Sequence, residues 1–348
     1  MSSEARHSKG RGPWVRMGED RLFELARRTF DTPHFRGIEF IEVEAKSIIN
    51  HVPGNYLPFN WTINPYRGCA HACTYCFARV THTYMDMDAG RDFESKIVVK
   101  VNAPQLVRSE LRAKRWKGEH IAMGTGTDPY QRAEGRYKLM RGIIGNLTTY
   151  RNPFSILTKG TLILRDLDLL VEAASLTEVS TAFSIGTLDE DAWRKSEPGT
   201  PHPRKRMAAV KKLNEAGIPC GVMVAPILPG ITDDPKGLRE VIVAALDSGA
   251  THVSPILLHL RPGVKEVYMS WLEDAYPDLV PRYMSMYKKA YAASGERKAV
   301  GDEVATILRS LGGVKRPGAP RRPRGGPRSV PGAGRPEQDT SAEQLELI

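Results

Sequence analysis

The sequence predicts an α/β protein built on a largely parallel sheet, and three observations carry that expectation. Short apolar, β-branched runs alternate with longer helical patterns through the middle of the chain, which is the rhythm of βα units. With 348 residues, 41% of them hydrophobic and 26% charged, the chain can bury a full core. No apolar run approaches the roughly 18–20 residues that a membrane-crossing helix needs.

Taken in order, residues 1–35 read as a mobile basic lead-in with one short helical patch, RLFELARRTF. Its opening, MSSEARHSKGRGPWVR, has no apolar stretch of the kind a secretory signal requires. The expected location is therefore cytoplasmic. Residues 36–66 read as irregular or strand-rich, punctuated by Gly and Pro in HVPGNYLPFNWTINPYRG.

The expected strands are Lys96–Val101, His120–Gly124, Phe154–Thr158, Ser180–Ile185, Ile218–Ala225 and His252–Leu257. Helical patterns lie between them near 104–116, 136–149, 161–175, 201–216 and 235–248. Gly217 and Pro219 stand just past one of these helices and stop it before the next strand. Residues 264–311 read as a helical C-terminal cap packed on the sheet. Residues 312–336 hold seven Lys or Arg and no acid in a Gly- and Pro-rich context, so 312–348 is expected to be a disordered basic tail.

The chemistry-bearing stretch is RGCAHACTYCFAR, residues 67–79, which holds three of the chain's four cysteines. Three thiols in a reducing compartment do not make a disulfide framework, and such clustering favours metal binding. A structural zinc site takes four protein ligands, and the fourth would come from His71, His82 or the distant Cys220. An iron–sulfur cluster is ordinarily held by four cysteines. A cubane held by three leaves one iron open, and an open site is where chemistry takes place.

The spacing Cys69-x3-Cys73-x2-Cys76, with an aromatic residue before the last cysteine, resembles the signature of the radical S-adenosylmethionine (SAM) superfamily. The resemblance implies a partial (βα)6 radical SAM barrel over 36–263, with a [4Fe-4S] cluster and SAM as cofactors. In that family the open iron chelates SAM, and reductive cleavage yields a 5′-deoxyadenosyl radical that abstracts hydrogen from substrate. A low-potential electron donor of flavodoxin or ferredoxin type is the implied partner. The difficult chemistry belongs to the cofactors, while the protein orients them and excludes water.

Ligands of parallel α/β proteins sit at the carboxyl ends of the strands, so the residues following each strand are the candidate contacts. After the second expected strand comes GTGTDPYQ, where Thr125 and Thr127 offer hydroxyls to the SAM amino group. Lys159, in LTKG, suits the SAM carboxylate, and Ser184 suits the ribose or the carboxylate. Tyr75 corresponds to the aromatic that contacts adenine in the family. The segment Ala225–Gly230 would also pass near the adenine. Cys220 lies early in its strand and reads as core packing.

The longer match WTINPYRGCAHACTYCFAR, with GTDPYQ after it, resembles the branch related to spore photoproduct lyase, and more narrowly an uncharacterised, largely actinobacterial subgroup. The lyase has a cysteine in its second-strand segment that returns a hydrogen atom to product. Here that segment is MGTGTDPYQ, with no thiol, so repair of the spore lesion is not expected. Asp128, Tyr130, Gln131 and Glu134 are the candidate catalytic or substrate-contacting residues, with Arg132 beside them.

A net charge of +10 is compatible with a nucleic-acid partner reached through the basic tail and surface. The candidate patches are Arg112, Lys114, Arg115 and Lys117, and Lys205, Arg206, Lys211 and Lys212. Their helical spacing equally fits solvated faces. Three readings stay open at this point. One is a radical SAM enzyme acting on a nucleic acid or nucleotide, and another is one acting on a peptide or small metabolite. The third is a non-catalytic, metal-stabilised nucleic-acid-binding module.

Overall fold

The computed structural model describes residues 26–33, 35–54 and 57–314. Most of the expected lead-in and nearly all of the expected tail lie outside the described residues. In chain order the strands are β1 (Ala26–Thr29), β2 (Glu39–Val43), β3 (Ile49–His51), β4 (Trp61–Ile63), β5 (Tyr66–Arg67) and β6 (Lys96–Lys100). They continue as β7 (Ile121–Met123), β8 (Phe154–Thr158), β9 (Val179–Ser184), β10 (Cys220–Ile227) and β11 (Val253–Leu257).

Seven strands form the main sheet, in the order β11-β10-β9-β8-β7-β4-β3. All its neighbouring pairs are parallel except β3 with β4. The six parallel strands match the expected partial barrel in number, but their membership differs. Lys96–Lys100 belongs to a separate four-stranded sheet, ordered β1-β2-β6-β5. The first parallel strand of the main sheet is Trp61–Ile63, in the stretch read as irregular or strand-rich. An apolar run fixes strand propensity and leaves open which partner it pairs with. Here β6 pairs parallel with β2, and the chain visits this small sheet before returning to β7.

The expected helical patch around residues 21–30 is corrected over its described part. Ala26–Thr29 is an exposed edge strand antiparallel to β2. Its arginines pair across the strands, Arg27 with Glu39 at 3.0 Å and Arg28 with Glu42 at 2.8 Å, the charged-edge arrangement that suits a sheet margin.

Helices run between the strands along the chain. They are α1 (Arg91–Ser95), α2 (Ala103–Arg112), α3 (Arg132–Tyr137), α4 (Leu139–Thr149), α5 (Leu167–Leu176), α6 (Glu190–Ser196), α7 (Pro203–Glu215) and α8 (Pro235–Asp247). Proline at the first turn and an Asp234 side chain that accepts the Gly237 amide start α8, because a proline there gives up no intrahelical hydrogen bond. Along β8 and β9 every second residue is buried: Phe154, Ile156 and Thr158, then Val179, Thr181 and Phe183. The alternate residues, such as Leu157 and Ser184, are half-buried and face the other side. A period of two places the buried set under the helices and leaves the second face for a cavity.

The C-terminal helices α9 (Lys265–Ala275), α10 (Val280–Met286) and α11 (Ser294–Ser310) divide the capping work. Val304 and Ile307 of α11 join the main core. Tyr268, Leu272 and Tyr283 of α9 and α10 pack instead in a second cluster with Cys73 and Tyr75. Part of the expected cap thus covers the cysteine loop and not the sheet.

Candidate active site

The chain from Gly68 to Cys76 forms a loop over the carboxyl ends of the parallel strands. Gly68 has φ +78°, and a Cβ there would stand 2.9 Å from the backbone oxygens of Phe93 and Lys96, so the turn into the loop requires glycine. Arg79, fully buried, holds the loop from behind. Its guanidinium donates to the Cys73 carbonyl at 3.0 and 2.8 Å and to the Ala89 and Gly90 carbonyls, and it pairs with Glu94.

Cys69, Cys73 and Cys76 line one open cavity enclosing about 970 Å³ of space, its mouth included. The rest of the wall comes from strand ends: Gly124 to Asp128 after β7, Thr158 and Lys159 at β8, and Ser184 at β9. Met223, Ala225 and Pro226 of β10 and Ile256, Leu258 and His259 at β11 complete it. The lining is mostly apolar, with the few polar groups gathered near Asp128 and Lys159.

The expected SAM contacts sit differently from one another. Thr125 is half-buried on the cavity wall. Thr127 is buried, and its hydroxyl donates to the Gly68 carbonyl at 2.8 Å, so it joins the second strand end to the cysteine loop. Lys159 Nζ donates to Ser184 Oγ at 2.5 Å and lies 5.6 Å from the Tyr75 ring centre. Ser184 Oγ donates in turn to the Ala225 carbonyl at 2.6 Å. Lys159, Ser184 and Tyr75 therefore form one contiguous polar corner of the cavity. Ala225 and Pro226, the start of the segment Ala225–Gly230, also line it.

Among the four candidate catalytic residues only Asp128 lines the cavity. Its carboxylate accepts the Thr158 hydroxyl and the Lys159 amide, both at 2.6 Å, and lies 3.3 Å from His71 Nδ1. Burial works to raise its pKa, but the neighbouring His71 and these hydrogen bonds hold it below the ordinary carboxylate value. Tyr130, Gln131 and Glu134, expected as catalytic or substrate contacts, do not reach the cavity wall: all three are buried inside the protein. Tyr130 donates to Asp166 at 3.1 Å, and Glu134 accepts Tyr66 at 2.5 Å and Arg165 at 2.6 Å. Gln131 bonds the cysteine loop. The chain turns inward after Pro129, and Asp128 caps that turn by accepting the Tyr130 amide at 2.9 Å.

Three further residues at this site carried no distinctive sequence signal. Glu197 is buried, accepting Tyr75, Arg206 at 2.5 Å and Thr200 at 3.2 Å, with Lys159 at 3.3 Å. Arg206, read with its neighbours as a basic patch, is fully buried. His71, named above only as a possible fourth zinc ligand, is buried on the cavity wall. Glu197 sits in SEPGT after α6 and reads as an ordinary helix end. Arg206 is one of five basic residues on α7, and nothing local marks it as the buried one.

The donor set fits a three-thiolate iron–sulfur cluster. Burial pushes all three thiols above their usual range, and Lys159 opposes that at Cys73 and Cys76. Thiols of this kind release their protons on binding metal. Among the described residues no three His, Cys, Asp or Glu side chains are arranged to hold a single metal ion. His82, one candidate zinc ligand, has its Nε2 2.9 Å from the Lys96 carbonyl oxygen. Cys220, another, is fully buried at the opposite, amino end of its strand.

A barrel of parallel strands with a three-cysteine loop over its carboxyl ends is the architecture of a radical SAM protein. The Radical SAM superfamily model matches residues 63–242, and the chain belongs to that superfamily. It is 46% identical over 297 residues to an uncharacterized protein of Mycobacterium tuberculosis, covering 84% of this chain and 87% of the relative. It is also 35% identical over 198 residues to an uncharacterized protein of Methanocaldococcus jannaschii, covering 56% of this chain and 70% of that one. Among solved structures, a spore photoproduct lyase double mutant with bound AdoMet and dinucleoside spore photoproduct matches with a TM-score of 0.60. The identity there is 17%, over 78% of this chain and 79% of that one, so the likeness is one of fold. Members of the superfamily use a [4Fe-4S] cluster and SAM, and these are the cofactors of this chain. Among the described residues no helix is long and apolar enough to cross a membrane.

Proposed function

We propose that this radical SAM enzyme cleaves SAM reductively and acts on a nucleic acid or nucleotide. The observation that carries the reading is the single cavity in which Cys69, Cys73 and Cys76 face the polar corner of Lys159, Ser184 and Tyr75. When bound, the cluster and SAM supply one-electron cleavage of a sulfonium and hence a carbon-centred oxidant. Every other task falls to the chain. Cys69, Cys73 and Cys76 hold the cluster, Lys159 offers a cation to the amino-acid carboxylate of SAM, and Tyr75 offers a ring to its adenine. Thr125 receives its amino group. The apolar wall of Leu157, Met223, Ala225 and Ile256 excludes water, which protects a reactive intermediate from quenching.

Support for a nucleotide substrate comes from the fold shared with a lyase solved with a dinucleoside. It also comes from the aromatic ring of Phe77 beside His259 at the cavity, 6.0 Å between centres, with Tyr291 stacked on His259 at 5.4 Å. Flat π-faces of this kind accept bases without sequence preference. The departure from lesion repair rests on thiols: among the described residues the cavity holds only the three cysteines of the loop, and Cys220 lies outside it. Modification of a peptide or small metabolite remains the other outcome of the substrate screen.

The test uses anaerobically purified protein reconstituted with iron and sulfide. Iron is counted, the cluster is reduced with dithionite, SAM is added, and the EPR spectrum and 5′-deoxyadenosine release are followed. A SAM-perturbed spectrum with deoxyadenosine formation is expected. Single-stranded DNA, RNA and dinucleotides are then compared with a peptide mixture for acceleration of that release. Bound zinc, or a cluster indifferent to SAM, would overturn the reading.

A further inference from the structure

Glu197 stands directly behind the cavity wall. It does not line the cavity, yet two residues that do, Tyr75 and Lys159, both bond to it. Its four contacts divide evenly between its oxygens. Oε1 receives the Tyr75 hydroxyl and faces Lys159 Nζ at 3.3 Å, while Oε2 receives Arg206 at 2.5 Å and Thr200 at 3.2 Å. A carboxylate has about four lone-pair positions, so this one is filled. Its ionised form is correspondingly favoured: burial works to raise its pKa, but Arg206 and Lys159 bring it down to about 2.

The carboxylate is delivered to this position by its backbone. The Thr74 amide donates to the Ser196 carbonyl, and the Gly199 amide to the His71 carbonyl, both at 3.0 Å. A Cβ on Gly199 would stand 2.1 Å from the Ala70 carbonyl oxygen. The 196–200 segment is thus strapped onto the cysteine loop, and only glycine permits the approach.

Charge counting gives the arrangement a direction. Arg206 and Lys159 contribute two positive charges against the one negative charge of Glu197, leaving one positive charge unbalanced. Arg206 is sealed in the interior, where it also donates to the Ser184 and Pro201 carbonyls at 2.8 and 2.9 Å. Within this trio Lys159 is the member that reaches the cavity, where the Asp128 carboxylate, 3.3 Å from His71, also stands on the wall.

We propose that Glu197 is a positioning residue, which fixes the Lys159 ammonium and the Tyr75 ring from behind so that a zwitterionic nucleoside sulfonium meets both in preset geometry. The assignment rests on the function proposed above, because it takes SAM as the ligand. A pre-organised site avoids ordering two long side chains when the ligand arrives, and that saving appears as affinity.

The test measures SAM binding by equilibrium dialysis on anaerobic, cluster-loaded protein, with iron content, melting temperature and the EPR response recorded for each variant. Glu197→Gln removes the charge but leaves Arg206 and Lys159 uncompensated, so its effect includes damage to the fold. The double variant Glu197→Gln/Arg206→Gln removes both members of the buried pair and restores the wild-type charge sum. It is expected to retain iron and to melt no lower than Glu197→Gln, yet bind SAM at least tenfold more weakly than wild type, with a smaller EPR response. Wild-type affinity in the double variant would show that Glu197 only balances Arg206, and would overturn the assignment alone. Wild-type protein that holds iron but ignores SAM would overturn the proposed function together with it.

Discussion

The side-chain amide of Gln131 brackets Cys69: its Oε1 accepts the Ala70 amide at 3.0 Å, and its Nε2 donates to the Gly68 carbonyl at 2.8 Å. The same Nε2 also reaches Thr127 Oγ1 at 3.1 Å. One buried side chain therefore ties both peptide neighbours of Cys69 to the segment that follows β7. Gln131→Leu keeps comparable bulk and leaves these partners buried without it. The Gly68 carbonyl keeps the Thr127 hydroxyl, but the Ala70 amide is left unsatisfied, and a buried polar group without a partner costs roughly 1–3 kcal/mol, the loss expected of the apo protein in a denaturant titration. Iron should also pass to a chelator faster than from wild type. Unchanged stability and iron retention would show that the loop holds its shape without Gln131.

Replacing Cys69, Cys73 or Cys76 by alanine should abolish the cluster, because each supplies one of three anchors. Iron content and the visible absorbance report it directly. Cys220→Ala should keep full iron content and SAM cleavage. It should also cost about 1 kcal/mol of stability, the scale of losing a small buried side chain. Loss of activity in a folded Cys220→Ala protein would place that thiol in the reaction.

Gly124 ends β7 with φ +89°, and a Cβ there would stand 1.9 Å from the Leu157 carbonyl oxygen. Alanine would force β7 and β8 apart at the cavity and occupy a left-handed conformation. Gly124→Ala should therefore lower stability by more than about 2 kcal/mol, combining backbone strain with a steric clash. Thermal unfolding of the apo protein measures this, and a loss below about 0.5 kcal/mol would contradict the close approach.

Acid should weaken the apo protein before most carboxylates titrate. Burial, with a smaller contribution from Arg261, lowers the His259 pKa from 6.5 to about 4. The folded state then binds this proton less readily than the unfolded chain. Stability from His259 is present above the unfolded value and is lost as pH falls from 6.5 toward 4. Burial lowers His82, His120 and His252 as well, so they act in the same direction. Glu197, lowered from 4.5 to about 2, adds a loss at still lower pH. Melting temperature followed from pH 8 to pH 4 should fall, and His259→Asn should flatten the limb between 6.5 and 4. An unchanged limb would assign it to the other histidines.

Much of the architecture was legible because it is local. Phe154–Thr158 was read with the bounds it has, and β7, β9, β10 and β11 were read within a few residues, since alternation and flanking Gly or Pro record a strand in its own sequence. Pairing is not local in this sense. Lys96–Lys100 reads as a barrel strand and lies in the other sheet, while Trp61–Ile63 takes the barrel position from a stretch dense in turn residues.

The site divides along the same line. By itself the sequence brought the three cysteines of the loop together, because thiols within eight positions of one another stay close whatever surrounds them. It also placed Lys159 and Ser184 beside the same cavity, because position at a strand's carboxyl end is read from the strand. Only the tertiary structure decided what stands behind them. Tyr75 meets Glu197 across 122 residues of chain, and Gln131 reaches Ala70 across 61. Such contacts arise when separately specified elements dock. The burial that makes an arginine such as Arg206 an interior partner, and not a surface charge, belongs to the assembled fold and to no segment of it.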